Sequence, residues 1–258
     1  MDRRILSDVV PDTGPENLRW KVVSMSEAQR LALALRADLG EACRDGVTAP
    51  PNLTLLGVGQ REVMAGLARL ESTTQRSAWS LLPHLIFDPE DLGYELNPRS
   101  TNRGVDLQVV TSPRTIRFNP LLTSFSPWVR VGPVPIRMIL CDERFAVLEG
   151  PETLAGDTTA WLTTGGEFLD QARALWAATW QESRAVLSSG EEPPLNARQL
   201  EVARRVCLGR TDAAIARELG TSERTVARDV SVILDLTEAR SRAEAVLNML
   251  GRGRQSRT

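Results

Sequence analysis

The sequence predicts two domains: an α/β amino-terminal domain, built as a mixed sheet with packed helices, and an all-α carboxy-terminal domain of four helices. Three observations predict them. Up to about residue 187, short apolar or alternating runs such as Val105 to Val110 take turns with helical stretches. A polar, helix-breaking run, Ser188-Ser189-Gly190-Glu191-Glu192-Pro193-Pro194, then interrupts the chain. Beyond it, four periodic segments open on capping residues and are separated by glycines and polar turns. The resulting division is a tail over 1–24, the α/β domain over 25–187, a linker over 188–194 and the helical domain over 195–258.

The 258 residues, 42% of them apolar, suffice for an ordinary α/β core and a small helical one. Net charge is −2, but it is segregated: from Pro193 onward twelve Arg face eight Asp plus Glu, giving +4 and leaving −6 upstream. A basic module joined to an acidic one suits one part that meets phosphates and another that does not. Cys43, Cys141 and Cys207 are odd in number and scattered, without disulfide or zinc-ligand spacing. The expectation is reducing cytoplasm, no metal and no cofactor. No apolar run approaches membrane-span length and no charged-then-apolar leader opens the chain, so neither a span nor a signal peptide is expected.

In chain order, Ser26 to about Arg44 reads as a helix ending before Ala49-Pro50-Pro51, and about Gln60 to Thr74 reads as a second, with Val63, Met64, Leu67 and Leu70 on one face. Ala78 to Leu85 is a buried strand. Asn102-Arg103-Gly104 turns into the strand Val105 to Val110, and Pro127 to Val131 is a weaker one. Ile136 to Cys141 and Phe145 to Leu148 flank Asp142-Glu143-Arg144 as a hairpin. A strand near Thr158 to Thr163 leads through Gly165-Gly166 into a long helix, about Glu167 to Val186.

In the last domain, Asn196 with Gln199 makes a capping box for a first helix that Gly209 can stop. Thr211 or Asp212 caps a short second helix, with Ile215 and Leu219 inward and Gly220 at its end. Ser222 starts a third, in which Val226, Val230, Ile233 and Leu234 form an apolar stripe while Arg224, Ala227, Arg228 and Ser231 face outward. Ser241 with Glu244 opens a fourth helix that Gly251 closes. A short, polar, guanidinium-bearing face on the third helix is one that a DNA major groove accommodates.

These residues resemble the LuxR-type helix-turn-helix of bacterial regulators over roughly Leu195 to Leu247. Gly209, Ile215-Ala216, Leu219-Gly220, Ser222-Glu223-Arg224-Thr225-Val226, Ser241-Arg242 and Glu244-Ala245 carry the resemblance. It implies that Ala227, Arg228 and Ser231 face bases, that Ser222 and Thr225 face phosphates with Arg224 assisting, and that the fourth helix pairs two protomers. Two positions depart from the family. Ala227 replaces the usual Lys and Asp229 the usual His, which is expected to remove positive charge near the duplex. The implied partners are double-stranded DNA and a second copy of the chain. RNA polymerase is a partner under a rival reading, region four of a sigma factor, and a drifted protein-binding module is another.

The upstream part resembles the phospholipase-D-like effector domains that accompany helix-turn-helix units in TrmB-like regulators, through "RGVDLQVV", "PIRMILCDERFAVL" and a terminal Trp-containing helix. Active members carry His, any, Lys, any four, Asp. Aligned on Asp142, Pro135 stands at the His position and Arg137 at the Lys position, so the attacking imidazole is missing and the chain is expected not to be an enzyme. The domain is read instead as a sensing or dimerisation scaffold, with a phosphodiesterase that carries an appended DNA module as a lesser rival. Other candidates have plain structural readings beside their chemical ones. His84 is the one histidine, Gly57-Val58-Gly59 opens a helix that could hold an anion, the thiols read as inert, and Trp176 and Trp180 pack on the sheet with a partner or ligand face left open.

Overall fold

The computed structural model describes residues 25–44, 50–90 and 93–253, so the tail expected over 1–24 lies outside the described residues. The order of elements begins α1 (Glu27–Arg44), β1 (Leu53–Val58), α2 (Gly59–Glu71), β2 (Ser77–Leu82), α3 (Gly93–Asn102) and β3 (Asp106–Thr111). Two short helices, α4 (Pro113–Phe118) and α5 (Leu122–Phe125), precede β4 (Arg130–Val131), β5 (Met138–Cys141), β6 (Phe145–Glu149) and β7 (Thr159–Thr163). Then come α6 (Gly166–Glu182), β8 (Arg184–Ala185), α7 (Ala197–Cys207), α8 (Asp212–Leu219), α9 (Glu223–Leu236) and α10 (Arg242–Met249).

The strands form one mixed sheet of eight, in the order β1-β7-β6-β5-β2-β3-β4-β8. β2, β3 and β4 run parallel to one another, while every other neighbouring pair is antiparallel. Parallel neighbours need a crossover, and α3 supplies the one between β2 and β3. The tight reversal between β5 and β6 comes from Asp142 and Glu143, both left-handed with φ of 52° and 55°, the geometry that matches strand twist in a primed turn.

Helices α1 and α6 pack together on the sheet, burying Leu35, Leu39, Leu81, Met138, Leu148 and Leu175 in a first core. Trp176, 6% exposed, stacks between Trp79 and Trp180 at 5.3 and 5.4 Å. The Arg130 guanidinium lies 4.4 Å over Trp180 and donates from Nε and Nη2 to the Ser183 hydroxyl and carbonyl, both at 2.7 Å. These bonds end α6 at Glu182 and turn the next residues into β8, where the sequence had predicted continued helix to Val186.

β1 also differs from expectation. The sequence assigned Gly57-Val58-Gly59 to a helix opening, whereas Leu53–Val58 pairs with β7 and the helix begins only at Gly59. A Cβ on Gly57 would sit 2.7 Å from the Glu62 backbone, so strand and helix approach as closely as glycine permits. Glu62 Oε2 accepts the Val58 N–H at 3.0 Å, so that free donor is answered by the chain's own carboxylate and not held open for an anion.

A second core gathers Leu195 with Val202, Ala203, Val206, Ile215, Val226, Ile233, Ala245 and Met249 of α7 to α10, and it also takes in Phe87 and Leu121 from before β4. Phe125 packs against it, 5.8 Å from the Phe87 ring. Between β8 and α7 no helix or strand forms, yet Leu195 N–H donates to Ser124 Oγ at 3.1 Å and Arg204 Nε to the Pro89 carbonyl at 2.7 Å.

Candidate nucleic-acid interface

Each of the last four helices begins with one of its free N–H groups bonded to a capping side chain. Asn196 and Gln199 exchange side-chain and backbone bonds, both 3.0 Å, in a reciprocal capping box. Thr211 Oγ1 accepts from Ala214 N at 3.3 Å, Ser222 Oγ from Thr225 N at 3.1 Å and Ser241 Oγ from Glu244 N at 3.2 Å. Gly220, with φ of 64°, turns the chain from α8 into α9. The sequence left Thr211 and Asp212 as alternatives, and Thr211 is the cap.

α9 presents two faces. Val226, Asp229 and Ile233 are buried and Val230 and Leu234 half-buried, against α7 and α8. Ser222, Arg224, Ala227, Arg228 and Ser231 are all exposed, and Thr225 is half-buried with its hydroxyl 2.8 Å from Ser222 Oγ. The six residues predicted to contact DNA are therefore on and beside one outward ridge. Ser231 Oγ donates back to the Ala227 carbonyl at 3.2 Å, so its hydroxyl is tethered along the helix. The side chains of Arg224 and Arg228 have no hydrogen bond or ion pair with any described residue, and the same holds for that of Arg217 on α8. By contrast Arg205 is spent on Glu201 and Glu218, at 2.5 and 2.9 Å. Burial favours its neutral form, but the two carboxylates outweigh that and hold its guanidinium charged.

Asp229 does not stand beside that ridge as the resemblance implies. It is 1% exposed, and its carboxylate takes a two-pronged grip from Arg198, Nε to Oδ2 at 3.0 Å and Nη2 to Oδ1 at 3.1 Å. Its negative charge points into the helical unit. One signal could have revealed this: Asp229 is three residues after Val226 and four before Ile233, which puts it on the apolar stripe. Its partner, Arg198, is not legible in the sequence, because a contact between α7 and α9 leaves no local periodicity.

Elsewhere the predicted positions are dispersed. Pro135 and Arg137 are exposed beside β5, while Asp142 is buried at the other end of that strand. Its carboxylate accepts N–H bonds from Gln75 at 3.0 Å, Arg76 at 2.7 Å and Ser77 at 2.9 Å. Burial alone would raise its pKa, but those N–H groups and the Arg76 charge lower it. Burial pushes Cys43 and Cys141 up to about 11 and Cys207 to about 12, so these thiols are protonated at neutral pH. His84 is exposed in the loop after β2. Among the described residues no group of three His, Cys, Asp or Glu could hold a metal ion, and no helix is long and apolar enough to cross a membrane.

No protein-family model and no curated protein matches the chain. Among solved structures it is similar to TrmBL2, described as an archaeal chromatin protein with a novel mode of DNA binding, at 15% identity over 62% of each chain with a TM-score of 0.39. The chain thus spans under two thirds of that neighbour's length. It is also similar to Nuc of Salmonella typhimurium, a phospholipase D family member, at 15% identity over 53% of this chain and 99% of that one, with a TM-score of 0.38. A third is the phosphatidylserine synthase of Haemophilus influenzae, at 13% identity over 53% and 40%, with a TM-score of 0.40. The expectation of a chain that is not an enzyme is corrected here: the solved structures similar to it include a phospholipase D family member and a phosphatidylserine synthase.

Proposed function

We propose that the chain is a sequence-specific DNA-binding transcription regulator, with α7 to α10 as a LuxR-like reader over 195–258 and residues 25–187 as a sensing or assembly domain joined to it through 188–194. The observation that carries this reading is the outward face of α9. A capped 14-residue helix lays Arg224, Ala227, Arg228 and Ser231 along one exposed ridge, with both guanidinium groups unpaired among the described residues. An α-helix fits the major groove, where Arg makes bidentate contacts to guanine, and small neighbours such as Ala227 and Ser231 let the helix approach base edges. Ser222 and Thr225, at the helix N-terminus, are placed to meet backbone phosphate. One such unit reads few base pairs, so the reading includes a homodimer on two half-sites, with the sheet domain setting their separation.

The test is unbiased selection of duplexes bound by the 258-residue chain, followed by the same selection with Arg228→Ala. The reading predicts a recovered motif, lost affinity of about 1–3 kcal/mol on substitution, and relaxed preference at one position per half-site. Recovery of the same motif at the same affinity after substitution would remove Arg228 from the interface.

A further inference from the structure

We propose that the Arg198–Asp229 pair is a positioning device that sets the roll of α9, and through it the sequence preference of the reader. The role rests on the DNA-binding reading above. Asp229 directly follows Arg228, so the two side chains leave the helix about 100° apart, one into the unit and one toward the groove. Locking the first direction fixes the second. The rest of the inward stripe, Val226, Val230, Ile233 and Leu234, is aliphatic, and aliphatic contacts tolerate sliding and rotation at little cost. A carboxylate held by two guanidinium N–H groups at 3.0 and 3.1 Å does not, because both bonds are lost together when the helix turns. A roll of about 20° displaces the surface of a helix of this radius by about 2 Å. That exceeds the tolerance of a bidentate contact to a base edge.

Arg198 is itself held from behind. It is the second residue of α7, whose start is fixed by the Asn196–Gln199 capping box and by Leu195 N–H on Ser124 Oγ of α5. The phase of α9 is thereby referred, through Arg198, to the segment that precedes β4. Exposure points the same way. The Arg198 side chain is 52% exposed and that of Asp229 2%, so the pair is more than a filler of the core: one partner is kept in solvent to grip the other. A carboxylate this buried is costly unless paired, and an apolar residue would fill its place without that cost, so directionality is what the pair adds.

The experiment compares three full chains, the parent, Asp229→Asn, and the double variant Arg198→Met with Asp229→Leu. The readout is the ratio of affinities for the selected motif and for a scrambled duplex, measured beside Tm. Asp229→Asn is expected to lower the ratio about tenfold while leaving affinity for the scrambled duplex unchanged. The double variant is expected to regain the parent's Tm, since an apolar pair replaces the ionic one, and to keep the lowered ratio. A ratio equal to the parent's in either variant would overturn the proposal, as would a ratio that follows Tm in both. A parent chain that selects no motif would sink the DNA-binding reading itself, and the positioning role with it.

Discussion

Asp142 carries the hairpin between β5 and β6 by collecting the N–H groups of Gln75, Arg76 and Ser77 on one carboxylate. Removing the acceptor would leave buried donors unanswered, so Asp142→Ala should cost about 3 kcal/mol in urea unfolding at pH 7. Because its folded-state pKa is lowered, this stabilisation is present above the ordinary carboxylate range and fades as pH falls through and below it. The gap between parent and variant should therefore shrink at pH 3, and a gap that persisted there would show the charge to be irrelevant. At the same scale, the sequence made the outward residues of α9 legible because a helix with an apolar stripe dictates its opposite face. Asp229, set near the duplex by the resemblance alone, is turned inward instead. An acidic side chain on the buried stripe becomes intelligible only once a distant Arg198 answers it.

Among elements, the helices with local punctuation were readable to within a residue or two. Asn196, Thr211, Ser222 and Ser241 all cap as their types and spacing require. Gly220 gives a clean prediction, since a Cβ there meets nothing within 4 Å and its φ is 64°. Gly220→Ala should destabilise by about 1 kcal/mol from left-handed backbone alone, visible as a lower thermal midpoint without change in the folded structure. A loss of several kcal/mol would mean that the α8–α9 turn is packed more tightly than this geometry allows. The elements missed were those whose causes are tertiary. β1 exists because β7 offers it an edge, and β8 because Arg130 captures Ser183. α3 holds Pro98 within its helix, which masked it, and α4 and α5 are shorter than a periodic pattern can reveal.

For the whole molecule, the mixed sheet with packed helices was legible in the sequence, and beyond residues 188–194 the chain forms α7 to α10. The sequence did not reveal that the second core would reach back across that run to Phe87 and Leu121. Those residues follow β2 and α4, and nothing in their local pattern distinguishes them from residues that pack on the sheet. Phe87 is 1% exposed, so Phe87→Ala should cost about 3 kcal/mol. Hydrogen exchange should then accelerate in α7 and α10 more than in β5 and β6. The reverse order would place Phe87 with the sheet. This shared core also makes the orientation of α9 a property of the full chain.

The proposed division of labour on α9 gives Arg228 a base edge and Arg224 a backbone phosphate. Its most direct test is the affinity of the 258-residue chain for its selected duplex and a scrambled one across salt concentrations. Both affinities should fall as salt rises, with a steep logarithmic slope from counterion release, while the selected duplex keeps an advantage of at least about a thousandfold. Equal affinity for the two duplexes, or binding indifferent to salt, would contradict it.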